Sequence, residues 1–144
     1  SEMCIRDRMN ALHDIRQIFE GLTDLRSELT VLGRYTLGVI DEETQLLRII
    51  SSELRDRPRK LADTFAALIN GSYAGMADWV MRHATGVTRE EAEAIAAVAL
   101  NALYAHRTMP QFLGVEPLVA DDERFISEWV VMVAGRVETE PGSV

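Results

Sequence analysis

The chain has 144 residues, a length that fits one domain, and 47% of them are hydrophobic. That supply of apolar side chains can bury a sizeable core and excludes a disordered chain. The formal net charge is −8 at pH 7, so the surface repels phosphate backbones and these residues are not expected to grip nucleic acid unaided.

Aromatic residues make up 6% of the chain, and only four prolines and nine glycines interrupt it. Long stretches rich in Ala, Leu and Val remain, which points to an all-α fold. The most apolar stretch, 94–105, is broken by Asn101 and is too short to span a bilayer. No basic leader precedes an apolar core, and the single Cys4 can form no intramolecular disulfide. A cytoplasmic protein without a membrane partner or cofactor is expected.

The first residues are a special case. Met3-Cys4-Ile5-Arg6-Asp7-Arg8 resembles one reading frame of the transposon-end adapter used in sequencing libraries. Residues 1–8 are therefore expected to be an artefact, with the natural protein continuing upstream. This segment holds Glu2 and Asp7 against Arg6 and Arg8, so its removal leaves the net charge unchanged.

From Met9 the apolar residues recur at helical spacing. Leu12, Ile15, Phe19 and Leu22 form a first stripe, which Gly21 ends. Thr23 or Asp24 can cap a second helix carrying Leu25, Leu29, Leu32, Thr36 and Val39. Asp41 reads as the cap of a third, with Leu46, Leu47, Ile50 and Leu54. After the charged break at 55–60, Pro58 suits the first turn of a fourth helix. That helix carries Leu61, Phe65, Ile69, Ser72, Met76 and Val80 and ends near Gly86, a residue fit for the left-handed position. Thr88 and Glu91 make a T-x-x-E capping box, and the helix behind it is expected to reach about Arg107. Pro110, Gly114 and Pro117 mark a loop. Asp121 or Asp122 then opens a last helix with Phe125, Ile126, Trp129, Val130 and Val133. Residues 139–144 are expected to be a flexible tail. About six helices and no strand are predicted.

The last two helices lack an ordinary polar face. One side of the Thr88 helix shows Ala92, Ile95, Ala99, Leu103 and His106, and the other shows Ala94, Val98, Asn101 and Ala105. A helix apolar on two sides is buried on two sides, and the economical cover is a second copy of the chain. Ala92, Ile95, Ala99, Leu103 and His106, with Phe125, Trp129 and Val133, are the expected homodimer contacts.

Several of these segments resemble the C-terminal, ligand-binding half of TetR-like transcriptional regulators. Leu46-Leu47-Arg48-Ile49-Ile50-Ser51-Ser52-Glu53, followed by Arg57-Pro58-Arg59-Lys60-Leu61-Ala62, resembles two consecutive helices of that family. The helices at 88–107 and 121–137 resemble its last two, and Phe112-Leu113-Gly114-Val115-Glu116-Pro117 resembles the loop between them. The likeness covers about 9–138 and rests on helix order and texture. It implies a pocket for an unidentified small-molecule effector and a four-helix dimer interface from the last two helices. It also implies DNA binding through an N-terminal helix-turn-helix head that is missing here, with ligand releasing a repressor from DNA.

Polar residues at otherwise apolar helical positions are the candidate pocket lining. These are Tyr35 and Thr36, then Asn70, Ser72 and Tyr73 beside Met76, then Asn101 and Tyr104. For each, a local role is also open: a hydroxyl can bond the preceding turn, and a tyrosine can reach out to solvent. His13, His83 and His106 fit no Glu-x-x-His or His-Glu-x-x-His pattern, and no nucleophile–base pair stands out, so neither a metal site nor catalysis is expected. An all-helical interaction module and an all-helical enzyme without a known motif stay open as alternatives.

Overall fold

Four helices make up the described part of the protein, a computed structural model that covers residues 24–139. The expected helix around 9–22, the adapter-like start and the tail beyond Thr139 lie outside the described residues. Within them the protein is an all-α bundle with no strand.

Helix α1 spans Leu25–Glu53. The Asp24 carboxylate caps it, accepting from the backbone N–H of Arg26 and Ser27 at 3.4 and 3.3 Å. The expected break at Asp41 does not occur. The helix runs straight through, because the Asp41 carboxylate is taken up by a tertiary contact, 2.9 Å from Arg107 Nε. The second and third expected helices are thus a single rod.

Helix α2 spans Pro58–His83, with Pro58 at its start and Gly86 beyond its end at φ 73°. Helix α3 spans Arg89–Leu113 and opens on the complete Thr88–Glu91 capping box. It passes the expected end at Arg107, and Pro110 lies inside its last turn rather than in a loop. Gly114, at φ 66°, ends it in the left-handed conformation that glycine adopts without strain. Helix α4 spans Asp122–Glu138, and the Asp121 carboxylate accepts from the Glu123 N–H at 3.0 Å.

Helix α2 packs along α3, and α1 packs along α4 and also against α3. Arg34 near the middle of α1 binds Glu123 at the start of α4, while Arg26 near the start of α1 meets Glu138 at the end of α4. These two helices therefore run antiparallel. The largest fully buried side chains are Leu29 and Ile40 of α1, Val80 of α2, Leu103 of α3 and Ile126 of α4. Burying a side chain of this kind contributes about 1.5–3 kcal/mol, and because every helix supplies one, the core ties all four together. Where α1 crosses α4, Gly33 lies against the Trp129 ring and Ile126.

Candidate functional site

Three helices bring polar side chains to one place in the bundle. Tyr104 of α3 donates its hydroxyl to Glu43 Oε2 of α1 at 3.2 Å. Ser72 of α2 faces the same hydroxyl and draws its pKa down. The Tyr73 hydroxyl donates to Asn101 Oδ1. The two tyrosine rings lie nearly parallel, 12° apart, with centroids 6.4 Å from each other. Burial first, then the Glu43 charge, pushes the Tyr104 phenol well above its ordinary range, so it stays a donor throughout the physiological range. Burial raises Tyr73 too.

Ser72, Tyr73, Asn101 and Tyr104, four of the candidate pocket residues, are thus brought together. Thr36 is buried two turns before Glu43, and its hydroxyl donates to the Leu32 carbonyl at 2.7 Å, the local role available to it. Tyr35 is half-buried on α1. Met76 is core. Asn70 is exposed and lines, with Tyr73, Ala74, Arg89 and Glu93, a cleft of about 280 Å³ between α2 and α3.

Glu43 is the residue that sequence reasoning missed. It is 4% exposed. The signal was present: Leu29, Gly33, Thr36, Ile40, Glu43 and Ile50 recur at three-, four- and seven-residue steps and are all buried. Taking Asp41 for a cap put Glu43 in a first helical turn, where an acid is unremarkable.

The expected dimer contacts need a correction. Ala92, Ala99, Leu103, Trp129 and Val133 are buried in the subunit's own core, and Ile95 and Phe125 pack against it. The Trp129 indole Nε1–H donates to the Ala99 carbonyl at 2.9 Å and is closed off from any partner. His106 lies between α3 and α4, stacked on Phe125 at 3.9 Å, with Nε2 2.9 Å from Asp122 Oδ1. The physical reason is size: the bulkiest apolar side chains gain most from the interior and are drawn there first. The side turned outward is the other one. Val98 of α3 and Met132 of α4 are each 72% exposed, with Met109 and Val131 about half exposed. Val98 is adjacent to Ala99, and Met132 is three residues from Trp129, so both sit at the level of that α3–α4 contact.

Two groups of polar contacts tie the helices together. Arg107 reaches both Asp41 and Asp122, joining α1, α3 and α4. At the other end His83 stacks on Trp79, places Nδ1 2.8 Å from the Trp79 carbonyl, and brings Nε2 within 3.2 Å of the buried Glu28. Among the described residues no three His, Cys, Asp or Glu side chains gather as a metal site would require, and no helix is long and apolar enough to cross a membrane.

No family model matches this chain, and no curated protein or solved structure matches it.

Proposed function

We propose that the chain is the effector-sensing, dimerising domain of a TetR-like transcriptional regulator, acting in the cytoplasm. The parent protein is a ligand-released repressor that reads DNA through an upstream helix-turn-helix head. The observation that carries this reading is the double duty of α3. One side of it delivers Tyr104 to the polar cluster shared with α1 and α2, while another leaves Val98 and Met109 exposed, with Met132 of α4 also exposed. A helix placed between a sensing site and a subunit seam can pass a change at one to the other. The charge of −8 supports the division of labour, since an acidic domain leaves phosphate contacts to another part of the protein.

Sedimentation of the full chain tests the reading. The wild type is expected to be a dimer at micromolar concentration. Val98→Glu combined with Met132→Glu should convert it to a monomer of unchanged helicity, because both side chains already point outward. A monomeric wild type would refute the proposal.

A further inference from the structure

The charge of −8 is unevenly spread. Five of the chain's 15 Lys and Arg residues crowd into 48–60, which takes in the end of α1, the turn and the start of α2. They are Arg48, Arg55, Arg57, Arg59 and Lys60, set against Glu53 and Asp56, and all five are exposed. Elsewhere Arg26, Arg34, Arg89 and Arg107 each meet a carboxylate. Among the described residues none of the five cations at this tip has an ion-pair partner.

The fold does not ask for these charges. A helix start is the positive end of the helix dipole and favours acids. Helices α3 and α4 obey, opening on Glu90 and Glu91 and on Asp122 and Glu123. Helix α2 opens instead on Arg57, Arg59 and Lys60, with no acid in its first turn and no side-chain cap. Cations held at that end oppose the helix, and a local rule broken without gain to the fold points to a partner. Charge makes that partner a polyanion.

Its chemistry follows from three features. Four of the five cations are arginines, whose planar fork matches phosphate oxygens. Ile49 is the one exposed large apolar side chain described within 48–60, too little for a face that enters lipid. The regulatory reading already brings DNA to the domain, and a tethered site meets it at high effective concentration, so a weak contact counts. A duplex of about 20 base pairs is roughly 68 Å long. That exceeds the length of α1, roughly 43 Å, so a duplex held beyond the Asp24 end can still reach the tip.

We propose that the α1–α2 tip is an auxiliary phosphate contact, at which Arg48, Arg55, Arg57, Arg59 and Lys60 touch the backbone of the DNA that the parent regulator reads. This deepens the regulatory reading and rests on it.

Fluorescence anisotropy of a labelled duplex of about 30 base pairs tests the inference with the full chain, and any sequence serves, since phosphate contacts carry no sequence information. The acidic remainder of the chain opposes binding, so salt runs from about 20 to 100 mM. Weak binding is expected at the low end, with log affinity falling against log salt at a slope of about −4.5 for five phosphates. Arg55→Gln, Arg57→Gln, Arg59→Gln and Lys60→Gln combined should weaken it at least tenfold and leave a slope of about −1, the share of Arg48. Arg82→Gln with Arg124→Gln, exposed cations outside the tip, should leave binding unchanged. The fourfold variant is expected to unfold at no lower urea concentration than the wild type, because it relieves the start of α2. An earlier midpoint would show that the charges serve the fold and would overturn the inference. A wild type that does not bind the duplex at about 20 mM salt overturns it as well, as does binding that the fourfold variant retains. Capture by vesicles of phosphatidylcholine with phosphatidylserine in preference to the duplex overturns the choice of DNA. The regulatory reading stands or falls separately, on the sedimentation of the wild type.

Discussion

Two glycines on α1 offer a controlled test of how tightly α1 and α4 are fitted. A Cβ added at Gly33 would lie 2.9 Å from Ile126 Cδ1 and 3.2 and 3.3 Å from two atoms of the Trp129 ring. A Cβ at Gly38 would meet nothing within 4 Å. Both substitutions gain the helix preference of alanine, about 0.5–1 kcal/mol. Only Gly33→Ala must also force room in the core. The Ile126 methyl can rotate, but Ile126 is 1% exposed and has little space to enter, and Trp129 is pinned by its bond to Ala99. Overpacking of this kind costs about 1–3 kcal/mol. Gly38→Ala is therefore expected to raise stability by about 0.5–1 kcal/mol, and Gly33→Ala to lower it by about 0.5–2 kcal/mol after the helix gain is subtracted. Urea denaturation followed by circular dichroism reads both. A Gly33→Ala chain as stable as Gly38→Ala would mean that α1 and α4 are not in close contact, and the placement of Trp129 in the core would have to be abandoned.

Other substitutions probe a cap, the α3–α4 contact in the core and the Asp122 ion pair. Thr88→Ala removes the acceptor of the Glu91 N–H and should cost about 1 kcal/mol, read as a lower melting temperature and faster amide exchange at Glu91; unchanged exchange there would count against the capping box. Trp129→Phe keeps most of the ring but loses the bond to Ala99, and should cost about 2 kcal/mol in urea titrations through the lost hydrogen bond and the space left behind. Asp122 sets a pH dependence. Burial pushes its carboxyl upward, but hydrogen bonds from His106 and Arg107 and the Arg107 charge outweigh it, leaving it below the ordinary value. The folded chain then binds fewer protons than the unfolded one in the acid range. The stabilisation is present above the ordinary carboxylate value of about 4 and is lost as pH falls through the folded value. The difference in urea midpoint between wild type and Asp122→Asn should accordingly be largest near neutral pH and narrow steadily below about pH 4. A difference that stays constant down to about pH 2 would show that the carboxylate carries no pH-linked stability.

Signals that act over one turn were legible in the sequence. The Thr88–Glu91 box, Pro58 and Gly86 stand where the local pattern put them, and of the two pairs of cap candidates, Thr23 or Asp24 and Asp121 or Asp122, the caps are Asp24 and Asp121. Asp41 was not legible, because an aspartate before two glutamates has the local look of a cap. The contact that makes it a mid-helix residue comes from Arg107, far along the chain. The same misreading hid Glu43, whereas Ser72, Tyr73, Asn101 and Tyr104 were visible as polar interruptions of apolar stripes. For α3 the sequence revealed two apolar sides without ranking them. Small alanines on both sides give no moment strong enough to choose, and the choice is made by Leu103 and by the bulky residues of α4 that they face.

The unbroken α1 has a mechanical meaning. At 1.5 Å per residue its 29 residues form a strut roughly 43 Å long, with Glu43 toward one end and the Asp24 cap at the other. A jointed pair of helices would absorb a displacement at its elbow. A single strut delivers it as leverage, so a tilt of about 5° pivoting at Glu43 would swing the Asp24 end by roughly 2.5 Å over the intervening length.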